Sequence, residues 1–189
     1  MLDLTHEILD QLPPPVRFTA KEAETISRHR EVMLTWEDGL IDGFYNIVFA
    51  HDTTRQVFNE GERPAREDSL RNWYRETING TFDERYWQWH TLVGLLHIKR
   101  RVNNAMVSGM WGWIVTYLSR CALEQLSKED ALDVITAVHA LQASVMALIA
   151  ESYQRNIFTA VEKAAGLNEA LLFNLVDLEI DKMVGDFRR

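Results

Sequence analysis

"YWQWHTLVGLLHIKRRV", Tyr86 to Val102, places two histidines, His90 and His97, in a segment otherwise crowded with aromatic and aliphatic side chains. At about 100° per residue a seven-residue spacing returns to nearly the same helix face, so both imidazoles share a stripe with Tyr86 and Val93. A leucine would fill that stripe with no polar atom to satisfy. The two rings stand about 10 Å apart along the axis, too far to share one small metal ion, and the i, i+4 spacing of helical zinc sites is missing. At most one of them faces any single centre.

Outward from this stretch, the punctuation reads as helix starts and stops. Thr19 and Glu22 form a capping box after the breaker Pro13-Pro14-Pro15, and Thr35 with Asp38 and Ser127 with Asp130 repeat the pattern. Pro64 suits a first helical turn, and Gly80 a helix stop. No stretch alternates polar and apolar residues over six positions, so no strand is expected. Helices are expected near 20–34, 36–50, 64–79, 83–101, 105–125, 129–156 and 168–185, with a short turn around 52–58 and a joint at "EKAAGLNEA" (162–170). The fold class is all-α.

The 189 residues fit one domain with a sizeable core, and 47% hydrophobic with 25% charged residues is ordinary for a globular chain. A net charge of −8 argues against a nucleic-acid binder, which needs a basic surface; the cluster Lys99 to Arg101 is the one basic run of note. The longest apolar run, "ALQASVMALIA", falls short of the roughly 18 residues of a membrane span, and no basic-then-apolar leader opens the chain. A single cysteine, Cys121, fits a reducing cytoplasm. The expected setting is cytoplasmic, with neither membrane nor nucleic acid as partner.

Zinc-protease, CxxC, phosphate-loop and nucleophile-elbow motifs are absent, and His6, His29, His51 and His139 are scattered singly. Two readings of the histidine stripe stay open on spacing alone. One is a core histidine satisfied by its neighbours. The other is an axial ligand to haem, a flat and mostly apolar disc whose iron takes an imidazole nitrogen while aliphatic and aromatic groups make the other contacts. Gly94, just before His97, lets either a planar group or a second helix approach.

The region "YWQWHTLVGLLHIKRRVNNAMVSGMWGWIVTYL" resembles the proximal region of the sensor-globin lineage: globin-coupled sensors, protoglobins and single-domain sensor globins. The element Val93-Gly94-x-x-His97, with Lys99 and Val102 beyond it and Trp111, Trp113 and Tyr117 in the next helix, carries the likeness. "GFYNIVFAHDTTRQVF" resembles that lineage's B-helix, and "VHALQASVMALIAESY" the end of its last globin helix. The likeness spans roughly 20–156. It departs at Arg100 and Arg101, where a small or aliphatic pair is usual, and at Asn103, where proline or glycine often stands.

The resemblance implies a globin fold with an N-terminal extension (1–18), a globin sensor domain (19–156) and a C-terminal helical extension or linker (157–189). It implies haem b, with His97 as proximal iron ligand, its Nδ1–H held by a carbonyl or hydroxyl, and Tyr45 as distal hydrogen-bond donor. Leu70 is the candidate distal wall. Phe44, Phe82, Tyr86, Val93, Val102 and Met106 are candidate haem-packing residues. The implied activity is reversible binding of O2, CO or NO with signalling to a partner or to an output domain, and no catalysis. Two other readings stand beside it: a non-haem globin-fold partner-binding module, and a haem enzyme of dioxygenase or peroxidase type, for which no distal acid–base pair is placed beside Tyr45. A homodimer through the last two globin helices is expected as well, because Leu132, Leu141 and Leu148 widen the stripe of Ile135, Val138, Gln142, Val145 and Ile149, and Trp111, Trp113 and Leu118 add to it from the preceding helix. The alternative cover for that face is the terminal helix, with Leu171, Leu172, Leu175, Leu178 and Met183.

Overall fold

In this computed structural model, which describes residues 1–166 and 168–187, every regular element among the described residues is helical. In chain order they are α1 (Leu2–Asp10), a 3-10 turn (Pro14–Val16), α2 (Ala20–Arg28), α3 (Arg30–Leu34), α4 (Glu37–Ala50), α5 (Asp52–Arg55), α6 (Arg63–Ile78), α7 (Glu84–Arg100), α8 (Asn104–Gln125), α9 (Lys128–Ala165) and α10 (Glu169–Phe187). The chain divides into two compact units, Met1–Ser152 and Tyr153–Arg189.

Local chemistry sets most helix ends. Thr19 and Glu22 close the expected capping box, and the Asp130 amide donates to Ser127 Oγ at 3.2 Å. Pro64 sits in the first turn of α6, and Gly80 follows its end with φ +81°. Thr35 behaves otherwise: its hydroxyl donates backwards to the Val32 carbonyl at 2.6 Å, and α4 starts without a side-chain cap. The span 20–34 is interrupted at His29, whose backbone leaves helical geometry (φ −100°, ψ 12°). No side-chain pattern marks that break. The joint at 162–170 is present, with α9 ending at Ala165 and Gly166 at φ +66°.

The N-terminal segment belongs to the first unit. Thr5 on α1 and Thr91 on α7 share a hydrogen bond between buried hydroxyls at 2.7 Å. Ser152 Oγ donates to the Thr91 carbonyl at 2.8 Å, which ties α7 to α9. Between these bonds lies Gly94, where a Cβ would stand 2.7 Å from the Ile149 carbonyl oxygen and 2.9 Å from Ser152 Cβ. The close partner that Gly94 admits is therefore helix α9. On the far side, Gly43 of α4 lies so close to Trp113 of α8 that a Cβ would come within 2.5 Å of the indole.

Helix α6 is fastened to α4 by charge. Glu37, its side chain only 9% exposed, accepts from Arg75 at 2.6 and 2.8 Å and also from Arg71. The Arg75 hydrogen bond, followed by that of Arg71, outweighs the cost of burial and holds the Glu37 carboxyl below the usual glutamate range.

Helix α9 is long and apolar enough to cross a membrane by length and composition, with a stretch of mean hydropathy 1.7, although its longest unbroken apolar run is short. Its apolar residues have another use. Val138, Leu141, Val145 and Ile149 are buried in one core with Trp36, Leu40, Ile78 and Leu118, and Leu148 is fully buried too. Most of the wide apolar face that pointed to a second copy is thus taken up inside the chain. Leu123 and Leu132 remain exposed, at 65% each. In the second unit Phe158 and Phe173 stack at 5.8 Å, while Leu175, Leu178 and Met183 are exposed.

Gly94→Ala tests the α7–α9 approach. Because the clash is with backbone, the new methyl forces the helices apart, and chemical denaturation should show a loss of about 1–3 kcal/mol. An unchanged denaturation midpoint would show that the contact is not tight.

Candidate functional site

The Asp83 carboxylate caps α7 by accepting from the Tyr86 amide at 2.9 Å. From that start His90, Val93, His97 and Arg100 fall on one stripe, and all four line a cavity of about 380 Å³ walled by α4, α6, α7, α8 and α9. That volume lies in the range of small-molecule sites.

The two histidines have different fates. His90 is 3% exposed. The Trp73 indole N–H donates to its Nε2 at 2.9 Å, which makes Nε2 the acceptor and leaves Nδ1–H to donate to the Tyr86 carbonyl at 2.9 Å. Both ring nitrogens are engaged. Burial pushes its pKa down to about 4, so the ring is neutral. His90 is the satisfied core histidine. His97 is only half-buried, yet its Nδ1 is buried without a hydrogen-bond partner, so the carbonyl or hydroxyl expected to hold it is not there. Burial, with Arg100's charge beside it, pushes the His97 pKa down to about 4. A neutral imidazole with uncommitted donor capacity faces an apolar cavity.

Of the other candidates, Phe44, Tyr45, Leu70, Val93, Val102 and Met106 line the same cavity. Phe82 and Tyr86 do not. Tyr86 shares the histidine stripe but lies one turn beyond the cavity's end, where its hydroxyl meets Thr77 Oγ1 at 2.9 Å. Phe82 packs on Phe18 at 4.5 Å and on Tyr86 at 5.1 Å. Both are core residues. Tyr45 is buried, and its hydroxyl donates to the Arg66 carbonyl at 2.7 Å. Burial drives its pKa upward, so the hydroxyl keeps its proton.

Sequence reasoning missed Phe58, Trp73, Leu96, Met110, Arg66 and Arg100 as wall residues. Arg100 was flagged only as a departure from a family pattern. Trp73 sits on the middle of α6 and carries no signal by itself, since its partner His90 lies on another helix. Glu62, at the start of α6, accepts from Arg100 at 2.6 Å. Arg66 Nε stands 3.0 Å from the same oxygen but is not aligned to donate. The Arg100 hydrogen bond, then the Asn59 amide, holds the Glu62 carboxyl down to about 2.

An apolar slot between α6 and α7, with two neutral imidazoles in its wall of which only His97 is left uncommitted, and long helices behind, defines a globin-type pocket. The Protoglobin family profile matches residues 5–158. The chain belongs to the protoglobin family, and membership implies haem binding. The globin domain of a Geobacter sulfurreducens globin-coupled sensor superposes with a TM-score of 0.69 at 19% identity, over 78% of this chain and 96% of that one. At that identity the likeness shows the fold. No curated protein matches the chain.

The residues present fit haem: an apolar wall and a single neutral imidazole with an unpartnered nitrogen. The turn after His97 accommodates the departures at Arg101 and Asn103. The Val102 amide donates to the His97 carbonyl at 3.0 Å and the Arg101 amide to the Ile98 carbonyl at 3.1 Å, the paired bonds of a Schellman stop. Asn103 then caps α8 by accepting from the Met106 amide at 3.0 Å. This turn brings Val102 into the cavity wall. Its left-handed position, usually glycine, is held by Arg101 at φ +61°. Arg101→Gly relieves a cost of about 1 kcal/mol and should raise Tm by roughly 2–4 °C. A lowered Tm would mean that the arginine side chain stabilises the turn.

Proposed function

We propose that the chain is a haem-binding sensor globin that reversibly binds O2, CO or NO, with His97 as the axial ligand and Tyr45 as the hydrogen-bond donor on the gas side. The observation that carries this reading is the contrast between the two histidines. His90 has both nitrogens engaged, whereas His97 lines the cavity neutral with its Nδ1 bonded to nothing, so the ring is not committed to the core and its Nε2 is the nitrogen for the iron.

Haem b, when bound, supplies an iron with one coordination position open to a diatomic gas. The protein's part is positioning and exclusion. His97 offers a nitrogen that is already deprotonated at neutral pH. Phe44, Leu70, Val93 and Met106 keep the slot apolar. Tyr45 is a proton donor bound to a carbonyl of α6, and it leaves that carbonyl to reach a gas ligand. Such a move changes what α6 holds and so couples the pocket to the helix clamped by Glu37. The signal passes to a partner protein or to an output domain. Homodimerisation through α8 and α9, which family likeness implies, has the exposed Leu123 and Leu132 in its favour. A cytoplasmic setting fits the lone, buried Cys121.

The purified full chain should show a haem absorbance band that shifts with dithionite and again with CO. His97→Ala should lose the pigment, and His90→Gln should keep it. A native spectrum in His97→Ala, or loss in His90→Gln alone at unchanged far-UV signal, removes His97 from the role. A colourless wild type that takes up no added haem favours a partner-binding module instead.

Tyr45→Phe separates a gas-side donor from a core tyrosine. If the hydroxyl reaches the ligand, O2 dissociates roughly tenfold to a hundredfold faster, the worth of a hydrogen bond to a charged acceptor, and CO changes much less. Equal effects on both gases, or none on either, would leave Tyr45 as the Arg66 carbonyl's partner and nothing more.

A further inference from the structure

We infer that Arg66 and Arg100 form a clamp at the cavity rim that takes the carboxylates of a bound porphyrin, with Glu62 occupying the same guanidiniums until they arrive. This rests on the haem reading above and adds to it which residues recognise the acidic edge of the ligand.

Arg66 comes from α6 and Arg100 from α7, one turn beyond His97, and both line the cavity. Their side chains converge on a single atom. Glu62 Oε1 is 2.6 Å from Arg100 Nη2 and 3.0 Å from Arg66 Nε. Two guanidiniums that share one carboxylate oxygen are spaced to hold a carboxylate. They are also under-used. Arg66 Nε is buried and makes no hydrogen bond despite that ion pair, and two positive charges face one negative one. The neighbouring charges do not relieve the excess, because Glu67 is committed to Arg63 at 2.6 Å. Glu62 has somewhere to go when displaced. Its other oxygen already accepts from the Asn59 amide at 3.0 Å, with the Asn59 side-chain amide at 3.4 Å.

The rest of the wall is apolar apart from His90, His97, Tyr45, Thr54 and Ser69. A ligand suited to it has a broad apolar body and acid groups along one edge. Bidentate guanidinium–carboxylate contact is the strong form of such recognition. Both arginine side chains are about a third exposed, at 34% each, so water and salt weaken the clamp without abolishing it.

The test compares haem with its dimethyl ester, which keeps the ring and the iron and lacks the charges. Each is loaded into the full chain, and transfer to excess apomyoglobin is followed by absorbance. Arg100→Gln and the double variant Arg66→Gln/Arg100→Gln should release haem roughly three- to tenfold faster than wild type, and should release the ester at the wild-type rate. Glu62→Gln should release haem more slowly and leave the ester unchanged. Faster release of both forms from the arginine variants would show pocket damage, and unchanged release of both would show idle arginines. Faster haem release from Glu62→Gln would make Glu62 a support and not a competitor. Each of these overturns the clamp alone, while a wild type that takes up neither porphyrin overturns the haem reading itself.

Discussion

The backbone of α7 can lie against α9 only because Gly94 has no side chain, and the position of every wall residue on α7 follows from that approach. A Cβ there would overlap the Ile149 carbonyl, so the helix presses onto α9 at one crossing point. Thr91, one turn earlier, uses its hydroxyl for Thr5 and its carbonyl for Ser152, which stops α7 from rotating about that point. With two constraints on neighbouring faces, His90, Val93, His97 and Arg100 are turned together toward the cavity. The same device recurs on the other wall. Gly43 lets α4 sink against Trp113, and Phe44 and Tyr45 are carried into the slot by that approach.

What could be read from residues divides along the range of the interaction. Thr19 with Glu22, Ser127 with Asp130, and Gly80 after α6 satisfy backbone groups a few positions away, and their roles were legible. Thr35 carried the same local signature and was misread, because its hydroxyl found the Val32 carbonyl behind it while Asp38 went to Arg71 on α6. Helix α1 gave no signal of its place, since Thr5 finds its partner 86 residues away. The site divides likewise. Phe44, Val93 and His97 follow from family likeness and helix period, whereas Trp73 matters through His90 on another helix. Phe82 and Tyr86 have the right chemistry and face the wrong volume, which no spacing rule reports.

Two glutamates hold α6 by opposite logics. Glu37 is nearly buried and tied to two arginines of α6 itself, so it fixes the helix to α4. Glu62 lies at the helix start and reaches across to the end of α7. Between these two ties run Arg66, Leu70 and Trp73, the α6 side of the cavity. A helix held firmly along one flank, and at its first turn by a partly exposed ion pair, has its freedom at that turn and not on the core side. The Tyr45 hydroxyl, bound to the Arg66 carbonyl, is attached to that first turn.

Three of the chain's six tryptophans, Trp73, Trp89 and Trp111, stand in the cavity wall. An indole emits light in the near ultraviolet, and a porphyrin at van der Waals distance absorbs it. The pocket therefore carries its own optical gauge. Filling the pocket with a porphyrin should quench that emission, and the rate of quenching should report the rate at which the slot is occupied, without any label being added.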